Sequence, residues 1–144
     1  ALQAAAARLG APLGHDFCAI SLSDLMTPWS VIERRLNAAA SGDFIIALYN
    51  PASQKRRDQL VRALKILAPE RTADTPIVAA QHLGRPQEKI SIHTFSTFDP
   101  NIVDMSTLVL IGSSETRKIC GARDWVYTPR GYGAKSSAKK KTAS

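Results

Sequence analysis

Three short polar clusters stand directly after apolar runs in this chain: Tyr49-Asn50-Pro51, Gln81-His82 and Gly112-Ser113-Ser114. In open α/β sheets, ligands bind just beyond the carboxyl ends of strands. If these strands run parallel in one sheet, the three clusters converge on one rim and form a pocket. A second set is cationic. Arg56, Arg57, Arg85, Arg117 and Arg130 fall in loops or at helix starts, where a guanidinium can grip carboxylates in a bidentate fork. A ligand carrying several carboxylates would suit such a rim.

Other chemistries find little support. His15, His82 and His93 lack metal-ligand spacing and read as loop or surface histidines, so no metal is expected. There is no Gly-x-Ser-x-Gly elbow, no G-x-G-x-x-G fingerprint and no Walker loop. Cys120 stands near Arg117 and Lys118, yet one cysteine without a sequence-defined base is weak evidence for a nucleophile. Cys18 sits in an apolar run and reads as a buried free thiol. Two isolated cysteines form no disulfide framework and are compatible with a reducing cytoplasm.

The elements that must position these residues follow from the patterning. Ile45-Ile46-Ala47-Leu48 is apolar without alternation, as in a strand buried on both faces of a parallel-type sheet covered by helices. Pro51 cannot donate to a ladder, so the strand Phe44–Tyr49 ends there. Ala1–Leu9 reads as a helix closed by Gly10. Phe17–Leu22 is a short strand, and Thr27-Pro28 looks like an N-cap with Pro at N1. Trp29, Ile32 and Leu36 recur at helical spacing up to about Ala40. Ser53 is expected to cap a long helix through Ala68, with Leu60, Ala63, Leu64 and Leu67 on one face. Strands are expected at Ile77–Gln81, Lys89–Thr94, Leu108–Gly112 and Trp125–Thr128, with one helical turn at Pro100–Asp104. Alternating strands and helices argue for an α/β layered domain, and the pair around Ile77 and Ile90 permits antiparallel members.

A chain of 144 residues is long enough for one domain with a proper core. No apolar stretch reaches the roughly 20 residues that cross a bilayer, and Ala1–Leu9 lacks the basic leader of a signal peptide. The net charge of +7 hints at nucleic acid until it is located. Arg130, Lys135, Lys139, Lys140 and Lys141 supply five of the 19 basic residues within the last 15 positions, and without them about +2 remains. No aromatic residues interleave with those lysines to stack bases, so the tail reads as a disordered, solvated segment and not as a nucleic-acid site.

Taken together, several segments resemble the C-terminal half of the precorrin-3B C17-methyltransferases, a branch of the tetrapyrrole (corrin/porphyrin) methylase family. They are Ala11–Phe17, Ser21–Trp29, Ala47–Pro51, Asp104-Met105, Ile111-Gly112 and Tyr127–Tyr132, in family order. The resemblance implies methyl transfer from S-adenosylmethionine to precorrin-3B in cobalamin biosynthesis, by a cytoplasmic enzyme. It implies a single three-layer-like α/β domain with a mixed sheet flanked by helices. Residues 1–14 would be the end of a missing N-terminal domain and its connection, 15–132 the C-terminal domain, and 133–144 the basic tail. Two domains of such an enzyme hold the donor between them.

By the same resemblance, Tyr49 and Asn50 align beside the methyl donor, and Ser106, Thr107 and Leu108 with a segment whose backbone lies near adenine. Arg57, Arg85 and Arg130 are the candidates for substrate carboxylates. Gln81 departs from the family's usual Arg, and Ser113 from its usual Asn. Because one domain cannot clamp a donor in line with its acceptor, the chain alone is expected to be inactive. An exposed interdomain face would favour a homodimer. The alternative function is a non-catalytic binding module of the same fold, pairing with itself or with a separate N-terminal half.

Overall fold

The computed structural model describes residues 1–53 and 56–131. Along the chain these form α1 (Leu2–Leu9), β1 (Gly10–Ala11), β2 (Phe17–Ser21), α2 (Trp29–Ser41), β3 (Ile45–Tyr49), α3 (Asp58–Leu67), β4 (Pro76–Gln81), β5 (Lys89–Thr94), β6 (Thr107–Ile111), β7 (Arg117–Ile119) and β8 (Trp125–Tyr127). A 3₁₀ turn at Ala68–Glu70 follows α3, and another, Pro100–Ile102, stands where one helical turn was expected. No helix among the described residues is long and apolar enough to cross a membrane. The basic tail expected at 133–144 lies outside the described residues.

The unalternated run does what its composition demands. Successive strand residues point to opposite faces, and here both faces are covered. Ile46 and Leu48 pack with Ile32 and Leu36 of α2 and with Leu60, Ala63 and Leu67 of α3. Ile45 and Ala47 face the other way, against Leu2, Ala5 and Leu9 of α1 and Val126 of β8. The result is three layers: α2 and α3, a five-stranded sheet, then α1 with a small sheet of β1, β8 and β7.

The large sheet has the order β2-β3-β6-β4-β5 and is mixed. β2 and β3 are parallel, but β6 runs antiparallel to both β3 and β4, and β5 antiparallel to β4. The condition that the strands ending at Tyr49, Gln81 and Gly112 all run parallel is therefore not met, since β6 opposes β3 and β4: burial of both faces requires cover on both faces, and strand direction is left free. The helices flanking a mixed sheet are as expected.

Local differences have local causes. Pro28 occupies the N-cap of α2, not its first turn, and no side chain caps that helix. Ser53 does not cap α3. It pairs with Arg56 in an isolated bridge, its amide 3.0 Å from the Arg56 carbonyl, and the helix starts at Asp58, whose charge suits the positive end of the helix. β7 has no apolar alternation and all three of its residues are exposed, so the patterning carried no signal for it.

Two glycines make the α1 connection possible. Gly10 leaves α1 at φ 109, a region that costs glycine nothing. At Gly14 a Cβ would lie 1.9 Å from the Thr128 carbonyl oxygen. That close approach lets the chain before β2 run against the end of β8.

Candidate functional site

Because β6 is antiparallel to its neighbours, one rim of the large sheet collects the ends of β3 and β4 and the start of β6. The register sets Gln81 opposite Thr107 and Ala80 opposite Leu108. Asn50 and His82, immediately after β3 and β4, both adopt φ 50, which turns the chain sharply out of each strand. Asparagine tolerates this left-handed region well, histidine less commonly.

Side chains and amides then lace the rim together. Asn50 Nδ2 donates to Ser21 Oγ at 3.1 Å, and the Leu22 amide donates to the Tyr49 carbonyl at 2.9 Å. The Leu2 amide donates to the Tyr49 hydroxyl at 3.2 Å. The His82 amide donates to the Ser106 carbonyl at 3.0 Å, and Gln81 Nε2 to the Ile102 carbonyl at 2.9 Å. Asp24 and Arg56 form an ion pair that joins the loops after β2 and β3.

Asp104 is the rim's electrostatic centre. It accepts from the Thr107 hydroxyl at 2.7 Å and from the Ser106 amide at 2.9 Å, and His82 Nε2 lies 3.1 Å from its Oδ2. Donation by Thr107 above all, then by Ser106 and His82, holds the carboxyl below its ordinary range despite partial burial.

Beside these groups lies a cleft of about 290 Å³ whose lining includes Tyr49, Asn50, His82, Arg85, Met105, Ser106, Thr107 and Leu108. A second hollow of about 300 Å³ shares Met105 and Ser106 and adds Arg57 and Asp104. A third shares Asn50 and Met105 and adds Leu25. Together they make a trough along the rim with apolar lips at Leu25 and Met105, 71% and 65% exposed, and Met26, which follows Leu25, is 94% exposed. A further hollow, about 340 Å³, lies between β2 and α2 and is lined by Cys18, Ile20, Ala38, Ala39, Phe44 and Arg35. It offers no converging polar groups, so the rim is the better candidate for chemistry.

Tyr49, Asn50, Ser106, Thr107, Leu108 and Arg85 are thus brought into one cleft, with Arg57 in the adjoining hollow. Arg130 is not brought there. It follows β8 and Thr128, whose hydroxyl donates to the Pro12 carbonyl at 2.6 Å, and its neighbour Gly131 lies beside His15, just before β2 begins. That is the opposite rim. Gly112-Ser113-Ser114 also leaves the cleft, because antiparallel β6 ends where β3 starts; there Ser114 donates to Asp43 through its amide at 2.8 Å. Among the described residues no group of His, Cys, Asp and Glu is arranged to hold a metal ion.

Two residues were not anticipated in their roles. His82 reads as a loop histidine in the sequence, and Asp104 carried no role there. The available signal was the Asp104-x-Ser106-Thr107 spacing, which lets one carboxylate accept from the amide two residues on and the hydroxyl three residues on.

A three-layer domain with a mixed sheet and a ligand-sized trough at its strand ends defines the class. Its backbone matches the crystal structure of the methyltransferase CobJ with a TM-score of 0.82 and 46% sequence identity, over 90% of this chain and 53% of that one. The chain belongs to the Tetrapyrrole (Corrin/Porphyrin) Methylases, whose family model matches residues 1–99. It is 51% identical over 138 residues to the precorrin-3B C(17)-methyltransferase of Sinorhizobium sp, covering 94% of this chain and 54% of that protein. It is 47% identical over 129 residues to a probable cobalt-factor III C(17)-methyltransferase of Salmonella typhimurium, covering 90% of this chain and 52% of that one. The chain spans about half the length of these curated relatives.

Proposed function

We propose that this chain is the C-terminal, donor- and substrate-contacting part of an S-adenosylmethionine-dependent precorrin-3B C17-methyltransferase of cobalamin biosynthesis, working in the cytoplasm. The observation that carries the reading is the convergence of Tyr49, Asn50, Ser106, Thr107 and Leu108 on one cleft. Residues 1–14 are read as the lead-in from a preceding domain, with α1 packed on one face of the sheet, and 15–132 as the domain that presents the rim.

The cleft fits one side of such a donor. Tyr49, Leu83 and Leu108 supply apolar surface, and Ser106, Thr107 and Asn50 supply polar groups. A volume of about 290 Å³ is just below the range of about 300–1,000 Å³ of a full ligand pocket, as expected of one wall of a shared site. S-adenosylmethionine, when bound, supplies an electrophilic methyl group on a sulfonium. The chain's task is then alignment, since an in-line displacement asks mainly for proximity and orientation. Left-handed turns at Asn50 and His82 fix the wall, and Arg57 and Arg85 stand exposed where they can meet substrate carboxylates. No metal enters this reading.

The exposed Leu25, Met26 and Met105 favour a second surface over the trough. In this reading it is the preceding domain, and the full protein is a homodimer. A non-catalytic module that pairs through the same lips is the alternative. Calorimetry of this chain and of the full-length protein with S-adenosylhomocysteine, followed by turnover of precorrin-3B, tests the proposal. Binding by both, with turnover confined to the full-length protein, is the expected result. Absence of binding by either removes the donor site, and turnover by the chain alone at the full-length rate refutes the shared-site argument.

A further inference from the structure

Imidazole is the side chain that takes and releases protons near neutral pH, and His82 is the only histidine among the described residues lining the rim's three hollows. Its placement is over-determined. The His82 amide is bonded to the Ser106 carbonyl at 3.0 Å, and its carbonyl accepts the Arg85 amide at 3.0 Å. The backbone between them is held left-handed at φ 50, a conformation uncommon for histidine that persists at functional sites when the surroundings enforce it. The ring is likewise fixed, with Nε2 3.1 Å from Asp104 Oδ2. Asp104 is itself held by the Ser106 amide and the Thr107 hydroxyl.

This constellation is a base with an orienting carboxylate. A carboxylate accepts, so Nε2 carries a proton, and the neutral form of the ring has its lone pair on Nδ1. About a third of the His82 side chain remains exposed, which leaves the ring open to a ligand. The charged groups beside it are Asp104 before β6 and, lining the same cleft, Arg85 on its own loop and Ala1, while Arg57 before α3 lines the adjoining hollow with Asp104. Glu88 is engaged elsewhere, by the Gly84 amide and Arg8.

We propose that His82 is the proton acceptor of the cleft, with Asp104 as its positioning residue. The inference rests on the methyl-transfer reading and deepens it. When an uncharged nucleophile attacks a sulfonium methyl group, the nucleophile's electron pair forms the new bond. The carbon–sulfur pair stays on sulfur as a neutral thioether, and the methylated substrate carries the positive charge. A proton must then leave. It passes to His82 Nδ1, its bonding pair neutralises the substrate, and the imidazolium facing Asp104 later gives the proton to water.

The experiment uses the full-length protein. Wild-type binding of S-adenosylhomocysteine is measured first by calorimetry, and the melting temperature of each variant checks folding. Single-turnover methyl transfer is then followed against pH for wild type, His82→Gln, His82→Ala with and without added imidazole, and Asp104→Asn. We expect His82→Gln to melt normally yet lose about 10²–10⁴-fold in rate, the usual worth of a general base. Added imidazole should raise the rate of His82→Ala, and Asp104→Asn should displace the rising limb of the pH profile. Wild-type rate and pH profile in both His82 variants, or no response of His82→Ala to imidazole, overturns the proposal and leaves His82 a turn residue. A wild type that binds no S-adenosylhomocysteine refutes the donor reading itself, a failure visible before any variant is compared.

Discussion

Arg71 offers a sharp test of what holds the layers together. Its side chain is completely buried, with none of its surface exposed. Nη2 donates to the Phe44 carbonyl at 2.7 Å and Nε to the Gly112 carbonyl at 2.9 Å. A third bond reaches the Glu70 carbonyl at 2.9 Å on the solvent side, and the Ala40 carbonyl at 3.4 Å is too far to count for much. One guanidinium thus clamps the start of β3 to the end of β6. Burial lowers its pKa, with Asp43, 3.7 Å away, opposing that shift, so keeping the charge there has a cost. Replacing Arg71 by methionine removes both the cost and the bonds. For buried ion pairs such an exchange is often neutral or favourable. Here the acceptors are main-chain carbonyls, which no substitution takes away. Leaving two of them without donors costs about 1–3 kcal/mol each, whereas Asp43 is half exposed and keeps its bonds to Ser114. We therefore expect Arg71→Met to lose about 2 kcal/mol or more. With a urea dependence of about 1–3 kcal/mol per molar, the unfolding midpoint should fall by about 1 M. Arg71→Lys, a point charge without the fork, should fall in between. A methionine variant as stable as wild type would show that the burial cost dominates, and the clamp argument would be wrong.

Two further predictions concern folding and pH. Gly14→Ala puts a Cβ 1.9 Å from the Thr128 carbonyl oxygen; since backbone cannot step aside cheaply, we expect a loss of several kcal/mol, of order 3 or more. A thermal melt within a degree or two of wild type would contradict this. Asp104 and Glu88 both have folded-state pKa values held below ordinary, by Thr107 foremost for Asp104 and by the Gly84 amide for Glu88. Their contribution is therefore full above the unfolded carboxyl range of about 4 and drains away as pH falls through the lower folded values. Asp104→Asn should flatten the acid limb of stability against pH, measured by urea denaturation at a series of acidic pH values, and an unchanged limb would refute the linkage.

How far the fold was legible depends on what each residue pattern encodes. The double-sided burial of β3 was readable because it is written in composition: Ile45 and Ala47 need cover as much as Ile46 and Leu48 do. Direction is not written there. Five apolar residues look alike running either way, so Gly112-Ser113-Ser114 reaches this rim only on the condition that β6 runs parallel to β3 and β4, which it does not. Ser53 is a good capping residue in isolation, but its main chain is used in a turn with Arg56, and tertiary context moved the helix start to Asp58. Arg117-Lys118-Ile119 forms a strand only because β8 offers it a partner. At the site, spacing singled out the ends of β3 and β4, whereas Ser106, Thr107 and Leu108 came from resemblance. The sheet's antiparallel centre explains why those two sets meet.

That centre has a consequence for how the molecule is made. β6 lies between β3 and β4 but leaves the ribosome after both. Until residue 111 has been synthesised, β3 and β4 each expose an unpaired apolar edge, and their proper neighbour does not yet exist. Edges of this kind are templates for wrong pairing, and closing distant strands is slow. Nascent chains stopped before Thr107 should therefore be the sticky ones, and the step that commits the domain to its fold is the insertion of a single late strand into a waiting gap.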